Sequence, residues 1–240
     1  MFTGTVLCVQ RSDAITYAKE HLQQLGIPVT SKCEPDVTHV LLPVPSFPTG
    51  DEYLAHILTK LPDGIIISGG NLKSPLLEHC TTVDFLTDPF YLAENAAITA
   101  ECAAQLAQIN LGDLSGLPIL ILGWGRIGKC LSQELRSQGY DVTIAARKNT
   151  DLAILNALGY KCVPISQVGD SLFRYRLIFN TVPELILPNA HTHPNCLILE
   201  LASKPGITGG NIHIARGLPG KMAPQRSGEL IARTFMRLSI

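Results

Sequence analysis

Apolar and polar residues follow one another along the chain in blocks that predict strands followed by helices. Residues 117–122 form a short, uninterrupted apolar run, which is typical of a strand buried on both faces of a parallel sheet. A glycine-rich turn follows at residues 123–128, and Leu131 and Leu135 then share one face of a predicted helix. A second strand is predicted at residues 141–146. This order of strand, turn, helix and strand is that of a βαβ unit.

The glycine turn fits the GxGxxG pattern of dinucleotide-binding proteins. Its first glycine permits a tight turn, the second lets a pyrophosphate approach the backbone, and the third lets the helix pack closely on the strand. Backbone amides at the start of that helix would hold the anion. The pattern by itself is common, but its place between a buried strand and a helix favours a dinucleotide site over an ordinary turn. The predicted cofactor-binding residues of the turn are Gly123, Trp124, Gly125, Arg126, Ile127 and Gly128.

The end of the second strand indicates which dinucleotide binds. Arg147 lies nineteen positions after Gly128, where an NAD-binding unit usually carries an acid for the ribose hydroxyl. An arginine there suits the 2′-phosphate of NADP, because its guanidinium offers a planar fork to the phosphate, and Lys148 adds positive charge. The alternative is that both residues are solvated cations in a loop. Their position favours NADP as the cofactor.

The remaining apolar blocks predict two doubly wound α/β domains joined by a long helix. The first is a flavodoxin-like substrate domain over residues 1–92, with strands predicted at residues 5–10, 37–42, 64–68 and 83–86. The loop after the third of these strands, at residues 68–71, either cups an anion or is a plain turn in which Asn71 caps a helix.

A long helix should begin at Asp88 and Pro89, because an acid caps a helix well and proline suits its first position. The helix should run to about Leu111 and connect the two domains. Residues 93–240 are expected to form a Rossmann dinucleotide-binding domain, and a last helix at residues 224–240 can pack back on the first domain.

Ligands of open α/β sheets bind outside the carboxyl ends of the strands. The predicted strand at residues 176–179 ends there in polar residues that would lie beside the nicotinamide ribose, although they also satisfy a turn followed by a helix cap. These further cofactor-binding candidates are Asn180, Thr181, Val182 and Pro183.

Composition narrows the classes of function. The chain has 240 residues, 46% of them hydrophobic and 16% charged, which predicts a globular protein with substantial cores. A net charge of -1 without long basic runs argues against a nucleic-acid partner. The N-terminus does not resemble a signal peptide and no apolar run has the length of a membrane span, so we expect a cytoplasmic protein without a membrane partner. Seven dispersed cysteines without a CxxC pair predict reduced thiols and no metal site.

Motifs along nearly the whole chain resemble those of one family, the NADP-type dehydrogenase subunit of dipicolinate synthase. The glycine turn is shared by many families, whereas the last three motifs, in this order, are more specific. The motifs are Leu41-Leu42-Pro43-Val44, the turn at residues 123–128 with Ala146-Arg147, Asn180-Thr181-Val182-Pro183, Leu201-Ala202-Ser203-Lys204-Pro205-Gly206, and Gly217-Leu218-Pro219-Gly220-Lys221-Met222-Ala223-Pro224.

This resemblance implies an oxidoreductase that converts a dihydrodipicolinate-type precursor, or a hydroxylated tetrahydro form that loses water, into dipicolinate, with NADP as hydride acceptor. It also implies that the second, flavoprotein-like subunit of dipicolinate synthase is a partner, and that expression occurs during sporulation in the mother-cell cytoplasm. We further expect a homo-oligomer.

The chain departs from the family pattern at the start of the connecting helix and in two other places. Where the family carries Asn-Ser-Ile-Pro-Thr-x-Glu-Gly, this chain has Asn95-Ala96-Ala97-Ile98-Thr99-Ala100-Glu101-Cys102, so the asparagine, threonine and glutamate are kept. Gln225 replaces a lysine that often follows the late Ala-Pro. A loop or helix around residues 49–62 is expected to be shorter than in the family.

A dicarboxylate substrate needs cations and polar donors near the nicotinamide. Lys204 is the only cation in the loop that directly follows the predicted strand at residues 196–200, although it can equally be a solvated loop cation. We expect the substrate in a cleft between the two halves of the chain. The candidate substrate-binding residues are Asn95, Thr99, Ser203, Lys204, Leu218, Pro219 and Gly220.

Two other functions are compatible with the same pattern. An NADP-dependent dehydrogenase of the 2-hydroxyacid type would use a histidine and an acid for proton transfer. His191 and His193 lie in a proline-bounded loop and His213 inside a predicted strand, so none is placed as such a base, and the catalytic residue is unknown. A nucleotide-binding partner subunit without chemistry of its own is the third possibility.

Overall fold

The structure is a computed structural model that describes residues 2, 4–46, 52–61 and 64–240, the side chains of residues 52–54 excepted. The chain forms two compact units. Unit 1 consists of Met1–Asn95 with Pro219–Ile240, and unit 2 of Ala96–Leu218. Each unit contains one parallel sheet with helices between successive strands, which confirms the predicted fold class of two doubly wound α/β domains.

Unit 1 has five parallel strands in the order β2-β1-β3-β4-β5, which is the order of flavodoxin-like folds. The strands are β1 (Thr5–Cys8), β2 (Val29–Thr30), β3 (Val37–Leu41), β4 (Ile66–Gly69) and β5 (Thr81–Asp84). The helices that begin before or within this part of the chain are α1 (Asp13–Gln24), α2 (Glu52–Leu58) and α3 (Pro89–Leu111).

The loop that follows β4 neither cups an anion nor caps a helix through Asn71. Its backbone amides at Asn71 and Leu72 donate to the carboxylate of Asp84, at 3.0 and 3.1 Å, so an acid of the chain itself already occupies them. The short helix that follows is capped by Ser74, whose hydroxyl accepts from the amide of Leu76. The predicted Asp51 cap and much of the loop at residues 43–50 lie outside the described residues.

Helix α3 begins and ends where the sequence predicts. Asp88 Oδ2 accepts a hydrogen bond of 2.6 Å from the amide of Tyr91, which caps the helix start. Both oxygens of the same carboxylate also accept from the guanidinium of Arg237, at 3.0 and 2.6 Å.

Unit 2 has six parallel strands in the order β11-β10-β9-β6-β7-β8, which is the order of a Rossmann fold. The strands are β6 (Ile119–Leu122), β7 (Val142–Ala146), β8 (Lys161–Pro164), β9 (Leu177–Asn180), β10 (Leu197–Glu200) and β11 (Asn211–Ile214). Helices α4 (Arg126–Ser137) and α5 (Asn149–Ala157) follow β6 and β7, and the chain then continues into α6 (Leu218–Met222) and α7 (Pro224–Ser239).

The central strands of unit 2 are buried on both faces. All four residues of β6, β9 and β10 are buried, as expected for parallel strands covered on both sides. Side chains from these strands form one core with parts of the connecting segments, among them Leu120, Leu122, Ile178 and Ile198. This core fixes the carboxyl ends of β6, β9 and β10 at one edge of the sheet, where the candidate site lies.

Candidate functional site

The first glycine of the turn lies against the loop that follows β9. Gly123 has a φ of +100°, which favours glycine, and a Cβ atom there would lie 2.6 Å from Thr181 Oγ1 and 2.8 Å from Val182 Cγ2. The amide of Gly123 donates to the carbonyl oxygen of Ala145 at 2.9 Å. The turn is therefore tied to β7 on one side and packed against the β9 loop on the other.

The second and third glycines have different roles. A Cβ atom at Gly128 would collide with the carbonyl oxygen of Gly123, so glycine here lets α4 approach the turn closely. At Gly125, in contrast, a Cβ atom would meet no heavy atom within 4 Å, so the space beside this backbone is open.

Gly125 also precedes α4 as its N-cap residue and supplies no side chain to cap the helix. The first amides of a helix lack intrahelical partners and favour an anion. Open space beside a backbone, a close-packed turn and an uncapped helix start together fit the diphosphate of a dinucleotide. Trp124, Arg126 and Ile127 belong to the same turn and first helical residues.

Thr181 joins β6 to the end of β9. Its hydroxyl donates to the carbonyl oxygen of Leu122 at 2.8 Å, and its amide donates to the same oxygen at 3.0 Å. The point where β6 and β9 meet is the place where the strand order reverses, which is where open α/β sheets bind ligands.

Asn180 and Glu200 form a buried polar network at the ends of β9 and β10. Asn180 Nδ2 donates to Glu200 Oε1 at 2.7 Å and to the carbonyl oxygen of Val182 at 3.0 Å, and Asn180 Oδ1 accepts from the amide of Val182. Glu200 accepts further bonds from the amides of Ala202 and Gly206, at 3.2 and 3.0 Å. Asn180 and Glu200 are 0% and 1% exposed, so the network is closed to solvent.

This network shapes two loops at once. It holds residues 180–183, which include the predicted cofactor-binding residue Pro183, and it holds the loop at residues 201–206, which carries Ser203 and Lys204. The side-chain amide of Asn180 is engaged with the protein, and its contact with a cofactor stays a prediction. Sequence reasoning missed Glu200, because in the sequence it is only the polar end of an apolar strand.

Arg147 and Lys148 are exposed at the carboxyl end of β7, on the other side of β6 from β9. Arg147 Nη1 lies 3.2 Å from Glu184 Oε2 in an ion pair with side chains 72% and 64% exposed. Lys148 is the N-cap residue of α5 but makes no side-chain cap bond. Both residues are thus placed for a ribose phosphate, and one of them has a competing partner within the protein.

The candidate substrate residues lie in several places. Ser203 and Lys204 are exposed in the β10 loop, whereas Leu218 and Pro219 at the start of α6 are buried and Gly220 is exposed. Asn95 and Thr99 lie four positions apart in α3 and therefore on one helix face. Their role in binding a substrate stays a prediction.

The histidines of unit 2 are not at the carboxyl edge of its sheet. His191 and His193 precede β10 at the opposite edge, where His193 Nδ1 accepts from the amide of Asn195 at 3.0 Å. His213 lies within β11 and faces no strand on its outer side. This placement gives no support to a histidine base of the 2-hydroxyacid type.

Two thiols of unit 2 are also poor nucleophiles. Burial raises the pKa of the Cys196 thiol to about 11 and raises the pKa of the Cys130 thiol, so both remain protonated at neutral pH. Within the described residues, no three His, Cys, Asp or Glu side chains are grouped so that they could hold a metal ion. Across the same part of the chain, every helix is too short or too polar to cross a membrane.

Comparison with known proteins agrees with this site. The sequence is 29% identical over 156 residues to the corresponding subunit of dipicolinate synthase from Bacillus subtilis (strain 168). That match covers 60% of this chain and 52% of the relative, so it spans about half of the relative's length. No family model matches the chain.

Solved structures share the fold over nearly the whole chain. The same dipicolinate synthase subunit from Bacillus halodurans superposes with a TM-score of 0.82 at 20% identity, covering 98% of this chain and 97% of that one. A transhydrogenase from Sinorhizobium meliloti has a TM-score of 0.71 at 11% identity, covering 98% and 92%. The resemblance to this subunit of dipicolinate synthase that the motifs predicted is therefore confirmed in sequence and in fold.

Proposed function

We propose that this chain is an NADP-dependent dehydrogenase that oxidises a dihydrodipicolinate-type dicarboxylate to pyridine-2,6-dicarboxylate, as its similarity to a subunit of dipicolinate synthase suggests. One observation carries the proposal. The glycine cradle, residues 123–128, and the loop at residues 201–206 belong to the same sheet edge and are linked through Thr181, Asn180 and Glu200. A cofactor held at the cradle and a substrate held by that loop would be neighbours.

The protein's part in the reaction is to bind, orient and exclude water. Gly125 leaves room for the diphosphate, and the first amides of α4 would fix its position. Thr181 and Val182 pack over Gly123 and form one wall of the cradle. The buried Asn180–Glu200 network keeps the β10 loop in a single arrangement, which supports positioning of a substrate to within a fraction of an ångström.

Conversion of a dihydropyridine ring to a pyridine releases one hydride and one proton. The nicotinamide ring, when bound, accepts the hydride. The proton can leave to solvent or to a weak base, because the aromatic product drives its loss. A mechanism of this kind needs no histidine at the carboxyl edge of the sheet, and unit 2, all of whose residues the structure describes, has none there.

Calorimetric titration with NADP and NAD tests the cofactor. We expect NADP to bind roughly tenfold to a hundredfold more tightly, because a charge-assisted phosphate contact contributes about 1.5 to 3 kcal/mol. Arg147→Asp should invert this preference. Arg174→Ala, an exposed arginine that precedes β9 at the opposite edge, is the matched control and should bind both cofactors as the wild type does. Equal affinities in the wild type would contradict the proposal.

An aromatisation assay tests the reaction. The chain is incubated with NADP and the dihydro precursor, alone and with the flavoprotein-like subunit of dipicolinate synthase, and NADPH and dipicolinate are both quantified. We expect turnover that rises when the partner is added. NADP binding without NADPH formation in either mixture would favour the alternative of a non-catalytic nucleotide-binding subunit. The predicted homo-oligomer is tested by sedimentation of the same preparation.

A further inference from the structure

Arg216 follows β11 at the same edge of the sheet as the glycine cradle. The amide of its neighbour Ala215 donates to the carbonyl oxygen of Glu200, which continues the pairing of β11 with β10 by one residue. The side chain of Arg216 then turns toward the β10 loop, where its Nε donates to the carbonyl oxygen of Ala202 at 2.7 Å. The guanidinium is thereby fixed beside the loop that carries Ser203 and Lys204.

One nitrogen of this guanidinium lacks a partner. Arg216 Nη2 is buried and forms no hydrogen bond with any described residue. Within that part of the chain, no acidic side chain forms an ion pair with Arg216 either. The nearby carboxylate of Glu200 is saturated by Asn180 and two backbone amides.

A buried donor of a permanent cation without a partner is unfavourable, and a protein usually satisfies it. The forked guanidinium matches a carboxylate, with which it can form two parallel hydrogen bonds. Lys204, the cation that the sequence indicates, is exposed and therefore contacts water. Of the two cations that follow β10 and β11, Arg216 is the one held rigidly with an unused donor directed into the protein.

We infer that Arg216 is the residue that binds a carboxylate of the substrate, with Nε anchored on Ala202 and Nη2 donating to the anion. This inference rests on the proposed function, because it names the group that recognises the proposed dicarboxylate. It assigns the exposed Lys204 at most a secondary, electrostatic role.

The test is calorimetric titration of the NADP-loaded protein with pyridine-2,6-dicarboxylate. Arg216→Gln should weaken binding of this dicarboxylate by roughly tenfold to a hundredfold, because it removes a charge-assisted contact. Arg216→Lys should recover part of the lost affinity, since it restores the charge without the fork. Arg174→Ala, an exposed arginine on the opposite edge, is the control and should bind as the wild type does.

Two further measurements separate recognition from folding. The affinity for NADP and the melting temperature of Arg216→Gln should stay near the wild-type values. If both fall together with the affinity for dicarboxylate, Arg216 has a structural role and the assignment is wrong. Wild-type affinity for pyridine-2,6-dicarboxylate in Arg216→Gln overturns the assignment and leaves the proposed function standing. A wild-type protein that binds NADP but not this dicarboxylate overturns both.

Discussion

Arg147, on which the choice of cofactor depends, already has a partner in Glu184. An exposed pair of this kind contributes only about 0.2 to 1 kcal/mol, whereas a charge-assisted contact with a phosphate contributes about 1.5 to 3 kcal/mol. The phosphate should therefore displace Glu184, at a small energetic penalty. Glu184 would also repel the same phosphate from 3.2 Å beyond the guanidinium.

Glu184→Gln should accordingly raise the affinity for NADP by up to about fivefold, and change the affinity for NAD much less. Titration of both cofactors at low and high salt measures the effect, which salt should reduce. Asp170→Asn, an exposed acid on the opposite sheet edge, serves as the control. An unchanged ratio of NADP to NAD affinity in Glu184→Gln would show that Arg147 does not meet the 2′-phosphate.

Glu200 must be a carboxylate for its loops to keep their hydrogen bonds. Its Oε1 accepts from Asn180 Nδ2 and the amide of Ala202, and its Oε2 accepts from the amide of Gly206. Glutamine has a single acceptor oxygen, so in either orientation its NH₂ group would face at least one buried donor. Glu200→Gln should lower the free energy of unfolding by about 1 to 3 kcal/mol. Denaturant unfolding measures this loss, and Glu184→Gln, on the surface, should unfold like the wild type.

At this scale the sequence revealed those residues whose role depends on their immediate neighbours. Gly123 and Gly128 could be identified because a strand and a helix flank them directly in the chain. Glu200 and Arg216 could not, since their partners Asn180 and Ala202 lie twenty and fourteen positions away. Only the alignment of β9, β10 and β11 brings these groups together.

Helix α3 shows how one carboxylate serves two elements. Hydrogen bonds from Arg237 of α7, and to a smaller extent from the amide of Tyr91, hold the pKa of Asp88 below its usual value, although burial of the carboxylate opposes them. A folded-state pKa below the unfolded value means that the unfolded chain takes up the proton first. The stabilisation is therefore complete above the unfolded pKa of about 3.9 and is lost as the pH falls through the folded value.

Asp88→Asn tests this linkage, because asparagine caps helices as well as aspartate but cannot pair with Arg237 as an anion. The variant should be less stable than the wild type by about 1 kcal/mol at pH 7, and the difference should shrink below about pH 4. Urea unfolding across this pH range measures both curves. A gap that stays constant down to about pH 2 would contradict the ionic origin of the contact.

Elements with strong periodic patterns were predicted well, and short ones were missed. The span of α3 and the six strands of unit 2 follow from apolar runs and caps in the sequence. Strand β2 has two residues and α6 has five, which is too short for any periodicity to appear. Both depend on what they pack against, and the sequence does not state that.

For the whole molecule, the last helix was the uncertain element. Its apolar face predicted burial, but a periodic pattern indicates only that a partner exists and not which one. In the structure α7 belongs to unit 1, where it packs against α1 near the start of the chain. The chain thus leaves unit 1 through α3, builds unit 2, and returns to complete unit 1.

The contact between α1 and α7 is close because of Gly228. A Cβ atom at this position would lie 2.5 Å from the carbonyl oxygen of Ala14, 2.6 Å from Tyr17 Cβ and 2.8 Å from the amide nitrogen of Ala18. Two of these three atoms are backbone, so the helices would have to move apart. Overpacking of this kind costs about 1 to 3 kcal/mol, which exceeds the gain of up to about 1 kcal/mol that alanine brings to a helix interior.

Gly228→Ala should therefore destabilise unit 1 even though alanine is the better helix former. Gly220→Ala is the matched control, since a Cβ atom at Gly220 would meet no heavy atom within 4 Å. Hydrogen exchange followed by mass spectrometry should show faster exchange in α1 and α7 of Gly228→Ala, and exchange like that of the wild type in Gly220→Ala. The affinity for NADP, which depends on the cradle in unit 2, should change less than the protection of α1. Protection of α1 that equals or exceeds that of the wild type in Gly228→Ala would show that the two helices do not need the glycine to meet.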